Sequence, residues 1–142
     1  METYFAPAPK TEPQKIENQL KAISQSQIMD TLLKTSAGIL VVLNEDRQIV
    51  AMNHSFLENL GINDIQEALG LRLGESLGCI HAYEKPAGCG TTEHCMSCGA
   101  AIAMMSAIQD KREDEQICAL VSDRDGIVSD ICLQVRAEPE FF

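Results

Sequence analysis

The sequence has few basic residues and no tryptophan. Lys and Arg together number 11 against 21 Asp and Glu in 142 residues, which gives a formal net charge of −10. A nucleic-acid-binding protein needs a basic surface that releases counterions from phosphates, and no more than two basic residues are adjacent here. The composition therefore argues against nucleic acid as a partner, and against contact with an anionic membrane surface.

Long apolar runs and targeting signals are also missing. A membrane-spanning helix needs about 20 apolar residues, and no uninterrupted apolar run approaches that length. The first residues, METYFAPAPKTEPQK, lack the basic start and apolar core of a signal peptide. These absences predict a cytoplasmic protein, in which the six cysteines are reduced or bound to a metal rather than paired in disulfides.

Motifs of haem attachment and of catalysis are absent as well. No Cys-x-x-Cys-His sequence occurs, so covalent c-type haem is not expected. The chain has no Gly-rich phosphate-binding loop, and no base accompanies its cysteines in a pattern typical of nucleophilic catalysis. We therefore expect this segment not to be an enzyme.

The length and the 45% hydrophobic content predict one folded domain with short appendages. Residues 1–13 contain three prolines and are predicted to form a flexible lead-in. Residues 14–35 are predicted to form an amphipathic N-terminal helix, since Ile16, Leu20 and Ile23 recur at helical spacing. Two interpretations stay open: a two-part helix that pairs with a partner chain, or a helix that packs on its own core.

Residues 36–142 carry alternating strand and helix patterns and predict an α+β domain. The predicted strands lie at 39–43 and 48–52, and at 116–122 and 128–137 around an Asp-Gly turn. The predicted helices between the two hairpins lie at 53–60, 64–69 and 99–110. Antiparallel hairpins that flank a helical middle are typical of the α+β class.

The segment ILVVLNEDRQIVAMNHSFLENLG, residues 39–61, resembles the PAS sensor domain family. Members of that family often have a strand, a turn rich in Asp and Asn, a second strand, and then Asn-x-x-Phe followed by a Leu-Gly end. The matching residues here are Asn53, Phe56 and the pair Leu60-Gly61. The second hairpin, around RDG at 124–126, looks like the late strands of a PAS domain.

The resemblance covers about residues 28–139. It implies a PAS-like antiparallel sheet in the order 2-1-5-4-3, with short helices on one face. A PAS sheet usually has a fifth strand after the second hairpin, whereas this sequence ends at residue 142 without room for one. We therefore expect either that the sequence is a fragment of a longer protein, such as a sensor histidine kinase, or that a partner strand completes the sheet.

Four cysteines lie close together in residues 79–98, with the spacing C-x(9)-C-x(5)-C-x(2)-C. They are Cys79, Cys89, Cys95 and Cys98. A tetrahedral metal ion takes four ligands at about 2.0–2.3 Å. Cys95 and Cys98 lie three apart at a predicted helix start, which would place both sulfurs on one face and favour their thiolates. The four cysteines are therefore the predicted metal ligands.

Two histidines are further candidates for this site. If residues 79–81 are extended, Cys79 and His81 point to the same side, so His81 is an alternative fourth ligand. His94 is one more candidate, although a position on the exposed first turn is expected for it. The segment also resembles a Cys-Gly-Thr-x-x-x-Cys-x-x-Cys-Gly subgroup of bacterial PAS sensor domains. Thiolates bind both zinc and Fe–S clusters. We expect zinc as the cofactor, and an Fe–S cluster is the alternative. A third interpretation is that the cysteines are free thiols or form disulfides.

The leading expectation is a sensory module of a bacterial two-component signalling protein. Its metal state would act through the N-terminal helix on a homodimer partner and on an attached or associated signalling domain. One alternative is a small thiol–disulfide oxidoreductase that uses Cys95 and Cys98. Another is a dimerisation domain in which zinc only stabilises the fold.

Cys118 and Cys132 fall on the two strands of the second hairpin and are interpreted as buried packing thiols. Their side chains share a face if the two residues are direct partners across the hairpin. A register change of one residue places them on opposite faces.

Overall fold

The computed structural model describes residues 3–84 and 86–139, which form five α-helices, two 3-10 helices and four strands. This confirms the mixed α+β class. The strands pair as two separate antiparallel hairpins in this part of the chain, and the five-stranded sheet implied by the PAS resemblance is not shown there. Residues 140–142, where the question of a missing last strand arises, lie outside the described residues.

The chain divides into two compact units. The first, Lys10–Leu73, contains α1 (Pro13–Ser24), α2 (Gln27–Thr35), β1 (Val41–Leu43), β2 (Ile49–Met52), α3 (His54–Leu60) and a 3-10 helix at Ile65–Glu67. The second joins the first nine residues to those from 74 on, and contains most of α4 (Leu73–Leu77), a 3-10 helix at Glu93–Ser97, α5 (Gly99–Gln109), β3 (Asp114–Arg124) and β4 (Ile127–Ala137). None of the helices in the described ranges combines the length and the apolarity needed to cross a membrane.

The predicted N-terminal helix forms as two helices, α1 and α2. The Ser26 hydroxyl starts the second by accepting a hydrogen bond from the Met29 N–H. Ile16, Ile23 and Met29 are buried in one cluster with residues of β2. The segment therefore combines the two interpretations: it forms in two parts, as the first proposed, and packs on a core within its own unit, as the second proposed. Pairing with a partner chain stays a prediction.

The first hairpin and α3 follow the sequence pattern closely. The β1–β2 turn is organised by Asn44, whose side-chain oxygen accepts hydrogen bonds from the N–H groups of Asp46 and Gln48. Asn53 then begins α3 by accepting from the Phe56 N–H, and Gly61 ends it with a φ of 64°. These features confirm the predicted cap and C-terminal glycine.

The second hairpin is longer than predicted. Strands β3 and β4 have 11 residues each and are joined by a two-residue turn, Asp125-Gly126, with φ values of 55° and 84°. Across the hairpin, Cys118 faces Leu133 and Cys132 faces Ala119, so the two cysteines point to opposite sides of the sheet. Cys118 is fully buried, but Cys132 is exposed. The prediction of two buried packing thiols is therefore wrong for Cys132.

The start of α5 lies directly on the backbone of β3. A Cβ atom added at Gly99 would overlap the carbonyl oxygen of Ile117 and lie 2.6 Å from its carbonyl carbon. Because the Cβ position is fixed by the helix backbone and the Ile117 carbonyl is itself main chain, neither group can rotate out of the contact. Glycine at position 99 therefore permits the contact between helix and strand.

We expect Gly99→Ala to lower the free energy of unfolding by at least about 2 kcal/mol, since the added methyl group meets backbone. Gly38→Ala is the matched control, because a Cβ at Gly38 meets nothing within 4 Å and its φ is not positive. The control should change stability by less than about 1 kcal/mol. Urea unfolding of both variants checks this; equal midpoints for the two would contradict the contact.

Asn53→Ala should be costly for the first unit. The buried Asn53 side chain also accepts a hydrogen bond from the Leu40 N–H and donates one to the Gly38 carbonyl, so its removal leaves several backbone groups unsatisfied. We expect a loss of about 2–3 kcal/mol in thermal or urea unfolding. Asp64→Ala removes only an exposed cap bond to Gln66 and should cost less than about 1 kcal/mol. An equal loss in both variants would argue against the role of Asn53.

Candidate metal centre

Cys79 follows α4 and is fastened to β3. The N–H of Cys79 donates to the Gly74 carbonyl, and Cys79 forms an isolated antiparallel bridge with Ser122 of β3. The Ser122 hydroxyl donates in turn to the Leu77 carbonyl at 2.7 Å. Residues 79–82 form a turn, in which the Ala82 N–H donates to the Cys79 carbonyl. Residues 79–81 are therefore not an extended stretch, so the condition under which Cys79 and His81 would point to the same side is not met.

Cys89 lies beside Cys79, and Gly74 makes room for both. The Cys89 sulfur accepts a hydrogen bond from the Gly74 N–H at 3.3 Å. A Cβ at Gly74 would lie 2.7 Å from that sulfur and 3.4 Å from the Cys79 Cβ. The loop turns tightly here, with φ values of 86° at Gly88 and 93° at Gly90. The absence of a side chain at position 74 therefore brings the two cysteines together.

The lead-in holds the same loop. The N–H of Tyr4 donates to the Thr91 carbonyl and that of Ala6 to the Gly90 carbonyl, at 3.0 and 2.9 Å. Ala6 is fully buried. Part of the segment predicted as a flexible lead-in thus makes backbone hydrogen bonds with the loop that carries Cys89.

Cys95 and Cys98 lie on two consecutive helical segments rather than on the single helix expected. Cys95 is buried within the 3-10 helix, where its sulfur lies 3.3 Å from the Thr92 hydroxyl. Cys98 is the N-cap residue of α5, and its N–H donates to the Cys95 carbonyl. The two thiols therefore belong to different local environments despite their close spacing.

Cys118 belongs to the same group, although the sequence interpretation left it out. Its sulfur lies 3.9 Å from the Cys98 sulfur. Two signals in the sequence point to this neighbour: Cys118 is a central residue of β3, and the Gly99 that follows Cys98 lets α5 approach that strand. All six cysteines are described and belong to the second unit, and no disulfide joins any of them. Cys98 and Cys118 have their sulfurs in contact, but no three of the six sulfurs lie within 4.8 Å of one another.

The two close thiols have opposite acid–base behaviour. The hydrogen bond from Cys118 is the main reason why the pKa of Cys98 is lowered to about 6. Burial opposes this shift, while the N–H groups of Ala100 and Ala101 and the charge of His81 add to it. The same hydrogen bond, followed by burial, raises the pKa of Cys118. The contact therefore favours the thiolate form of Cys98 and the protonated form of Cys118.

Cys79 and Cys89 resist ionisation. Burial raises the pKa of Cys89 to about 12, against the hydrogen bond from Gly74, and the negative charges of the neighbouring thiolates raise it further. The pKa of Cys79 is also raised, mainly by burial, with the charges of Cys98 and Cys95 adding to it. These cysteines are therefore close enough to repel one another when ionised, which is the repulsion that a bound cation relieves.

One group of three possible metal ligands comes together between the turn at residues 81–84 and the 3-10 helix at Glu93–Ser97. The ligating atoms of His81, Glu84 and His94 all lie within 4.8 Å of one another. His81 Nδ1 is 2.5 Å from a Glu84 carboxylate oxygen, and the two imidazole rings stack at 3.8 Å with an interplanar angle of 12°. This group could hold a metal, but only after one ring rotates, since the in-plane lone pairs of parallel rings do not meet at one ion. His94 is exposed, as expected, and His81 is oriented by Glu84.

Comparison with known proteins adds no relative. No protein-family model, curated protein or solved structure matches this chain. Any account of its function therefore depends on its residues and on the geometry described above.

In the metal-free protein, we expect Cys98 to ionise with a midpoint near pH 6. Below that pH the residue is a neutral thiol, and above it a thiolate, so metal binding at Cys98 should release no proton at neutral pH. The midpoint is measured by titrating wild type and Cys98→Ser with pH in the absence of oxygen. The difference between their ultraviolet thiolate absorbances reports the ionisation of Cys98. Cys118→Ala removes the hydrogen-bond donor and should raise the midpoint; an unchanged value would contradict the assigned cause.

Proposed function

We propose that this chain is a sensory, non-catalytic module of a bacterial signalling protein with a metal centre ligated by cysteine. The observation that carries the proposal is the convergence of cysteines from separate parts of the second unit. Cys79 follows α4, Cys89 lies on the loop after it, Cys95 on the 3-10 helix and Cys98 at the start of α5. After burial, the charges of Cys98 and Cys95 contribute to the raised pKa of Cys79, and those of Cys95, Cys98 and Cys79 to the raised pKa of Cys89, as expected for thiols that lie near one another.

The donor set fits a soft metal ion. Thiolates are the preferred ligands of zinc and of Fe–S clusters, and these four are buried or half-buried. We propose zinc as the bound species and Cys79, Cys89, Cys95 and Cys98 as its ligands, with His81 as the alternative. Zinc supplies a structural cross-link between the segments that carry its ligands, whereas an Fe–S cluster, the alternative, supplies redox sensitivity.

The chain's own residues would connect this centre to the fold. Cys79 is bridged to β3, and Cys98 caps the helix that packs on β3 through Gly99. A change in metal occupancy would therefore alter how α5 packs against β3. In this proposal, that packing has two states, and the metal shifts the balance between them.

We also propose that the N-terminal helices transmit the signal to a second copy of the chain and to an attached kinase or other signalling domain. Ile28 and Leu32 support this, because they lie one helical turn apart on α2 and are 77% and 50% exposed. In this proposal the hairpins belong to a PAS-like sheet of 2-1-5-4-3 order, whose fifth strand comes from a longer chain or from the partner.

One observation favours a thiol oxidoreductase as a second candidate. An ionised Cys98 beside a protonated Cys118 is the arrangement of an attacking thiolate and a second thiol. The pair would then be Cys98 and Cys118 rather than the Cys95 and Cys98 suggested by the spacing. Metal binding separates the two candidates, because a thiolate bound to zinc is not free to attack a disulfide.

The test is the metal content of the protein prepared without oxygen. We expect about one zinc per chain and no visible absorbance. Visible absorption bands, together with iron and sulfide in the protein, would instead indicate an Fe–S cluster. Cys132→Ser is the control and should keep the metal, since Cys132 is exposed on the opposite side of the hairpin. No metal in wild type, with all four cluster thiols alkylated in the folded state, would contradict the proposal.

Chelation distinguishes sensing from a purely structural role. A sensor should change the packing of α5 on β3 when the metal is removed, and this can be followed by hydrogen exchange in residues 99–109. Unfolding of the whole chain by the chelator, with no smaller change before it, would favour the zinc-stabilised dimerisation domain.

A further inference from the structure

Cys118 occupies a position that its place in the sequence does not suggest. It lies 20 residues after Cys98, on a strand, and its side chain is fully buried. Its inward direction follows from the register of β3, in which Ile117 on the other face is 63% exposed. The thiol therefore points to the side of the strand on which α5 begins.

The distance between the Cys98 and Cys118 sulfurs is that of two ligands on one ion. They are 3.9 Å apart, far beyond a disulfide bond of about 2.05 Å. Two thiolates that bind a tetrahedral zinc ion at about 2.3 Å lie about 3.8 Å from each other. The observed pair thus matches one edge of the coordination tetrahedron.

The surroundings keep this edge in place. Gly99 lets the start of α5 lie on the backbone at Ile117, the residue before Cys118. Ser122, four residues after Cys118 on the same strand, forms a bridge with Cys79. Strand β3 therefore fixes the position of one predicted ligand, Cys79, and carries a further thiol, Cys118, itself.

We propose that Cys118 is a ligand of the metal centre and forms, with Cys98, one edge of its coordination shell. This inference rests on the proposed function, because it presupposes that the cysteine cluster binds a metal. Since a tetrahedral ion takes four ligands, one of the remaining cluster cysteines then lies outside the first coordination sphere. Metal binding would displace the Cys118 proton to solvent, and both thiolates would bond to the ion.

The direct test uses the unaltered chain with cadmium as the probe. In NMR with a magnetically active cadmium isotope, each ligating cysteine shows scalar coupling between the metal and its β protons. We expect such couplings for both Cys98 and Cys118. Couplings confined to Cys79, Cys89, Cys95 and Cys98 would overturn the inference and leave the proposed function intact, whereas an absence of cadmium binding would overturn both.

A pair of serine variants gives an independent measure. Cys118→Ser keeps a hydroxyl that can still donate a hydrogen bond to Cys98 but is a poor metal ligand, so zinc affinity should fall at least roughly tenfold. Cys132 is on the same hairpin, but its side chain points to the opposite face of the sheet. The Cys132→Ser variant should therefore bind zinc as wild type does. Equal zinc affinities in the two variants would show that Cys118 is not a ligand and only donates a hydrogen bond to Cys98. If Cys118→Ser fails to fold, the cadmium couplings of wild type decide the matter.

Discussion

The second unit depends on one close contact, in which the start of α5 rests on the main chain of β3. The contact is possible because residue 99 is glycine; any side chain there would overlap the Ile117 carbonyl. It places the N-cap residue of the helix, Cys98, next to Cys118 of the strand. Without this approach the two sulfurs would lie on separate elements, and Cys98 would lose the neighbour that most favours its thiolate.

A second contact of the same kind, at Gly74, completes the group. Its missing side chain leaves room for the Cys89 sulfur and the Cys79 Cβ. The two glycines thus explain how Cys98 comes to lie beside Cys118, and Cys89 beside Cys79. Burial, with a smaller contribution from the charges of the neighbouring cysteines, raises the pKa of Cys89. A bound cation would offset both effects, because it favours the thiolate form.

Local features of the fold were predictable from the sequence because local chemistry determines them. The cap at Asn53, the left-handed Gly61 and the Asp125-Gly126 turn each act within a few residues. The spacing of the four cluster cysteines predicted that they bind one metal; the structure places all four in the second unit, and their ligation stays a prediction. Cys118 was missed, and Cys132 misplaced, because their positions depend on hairpin register and on the packing of α5, which spacing along the chain does not show.

The central claim is that sulfur atoms bind a metal in this unit. X-ray absorption spectroscopy of the metal in protein isolated without oxygen tests it most directly. The account predicts a first shell made only of sulfur, at about 2.3 Å from zinc. A first shell of nitrogen and oxygen at about 2.0–2.2 Å would instead indicate ligation by His81, Glu84 and His94 and would contradict the claim.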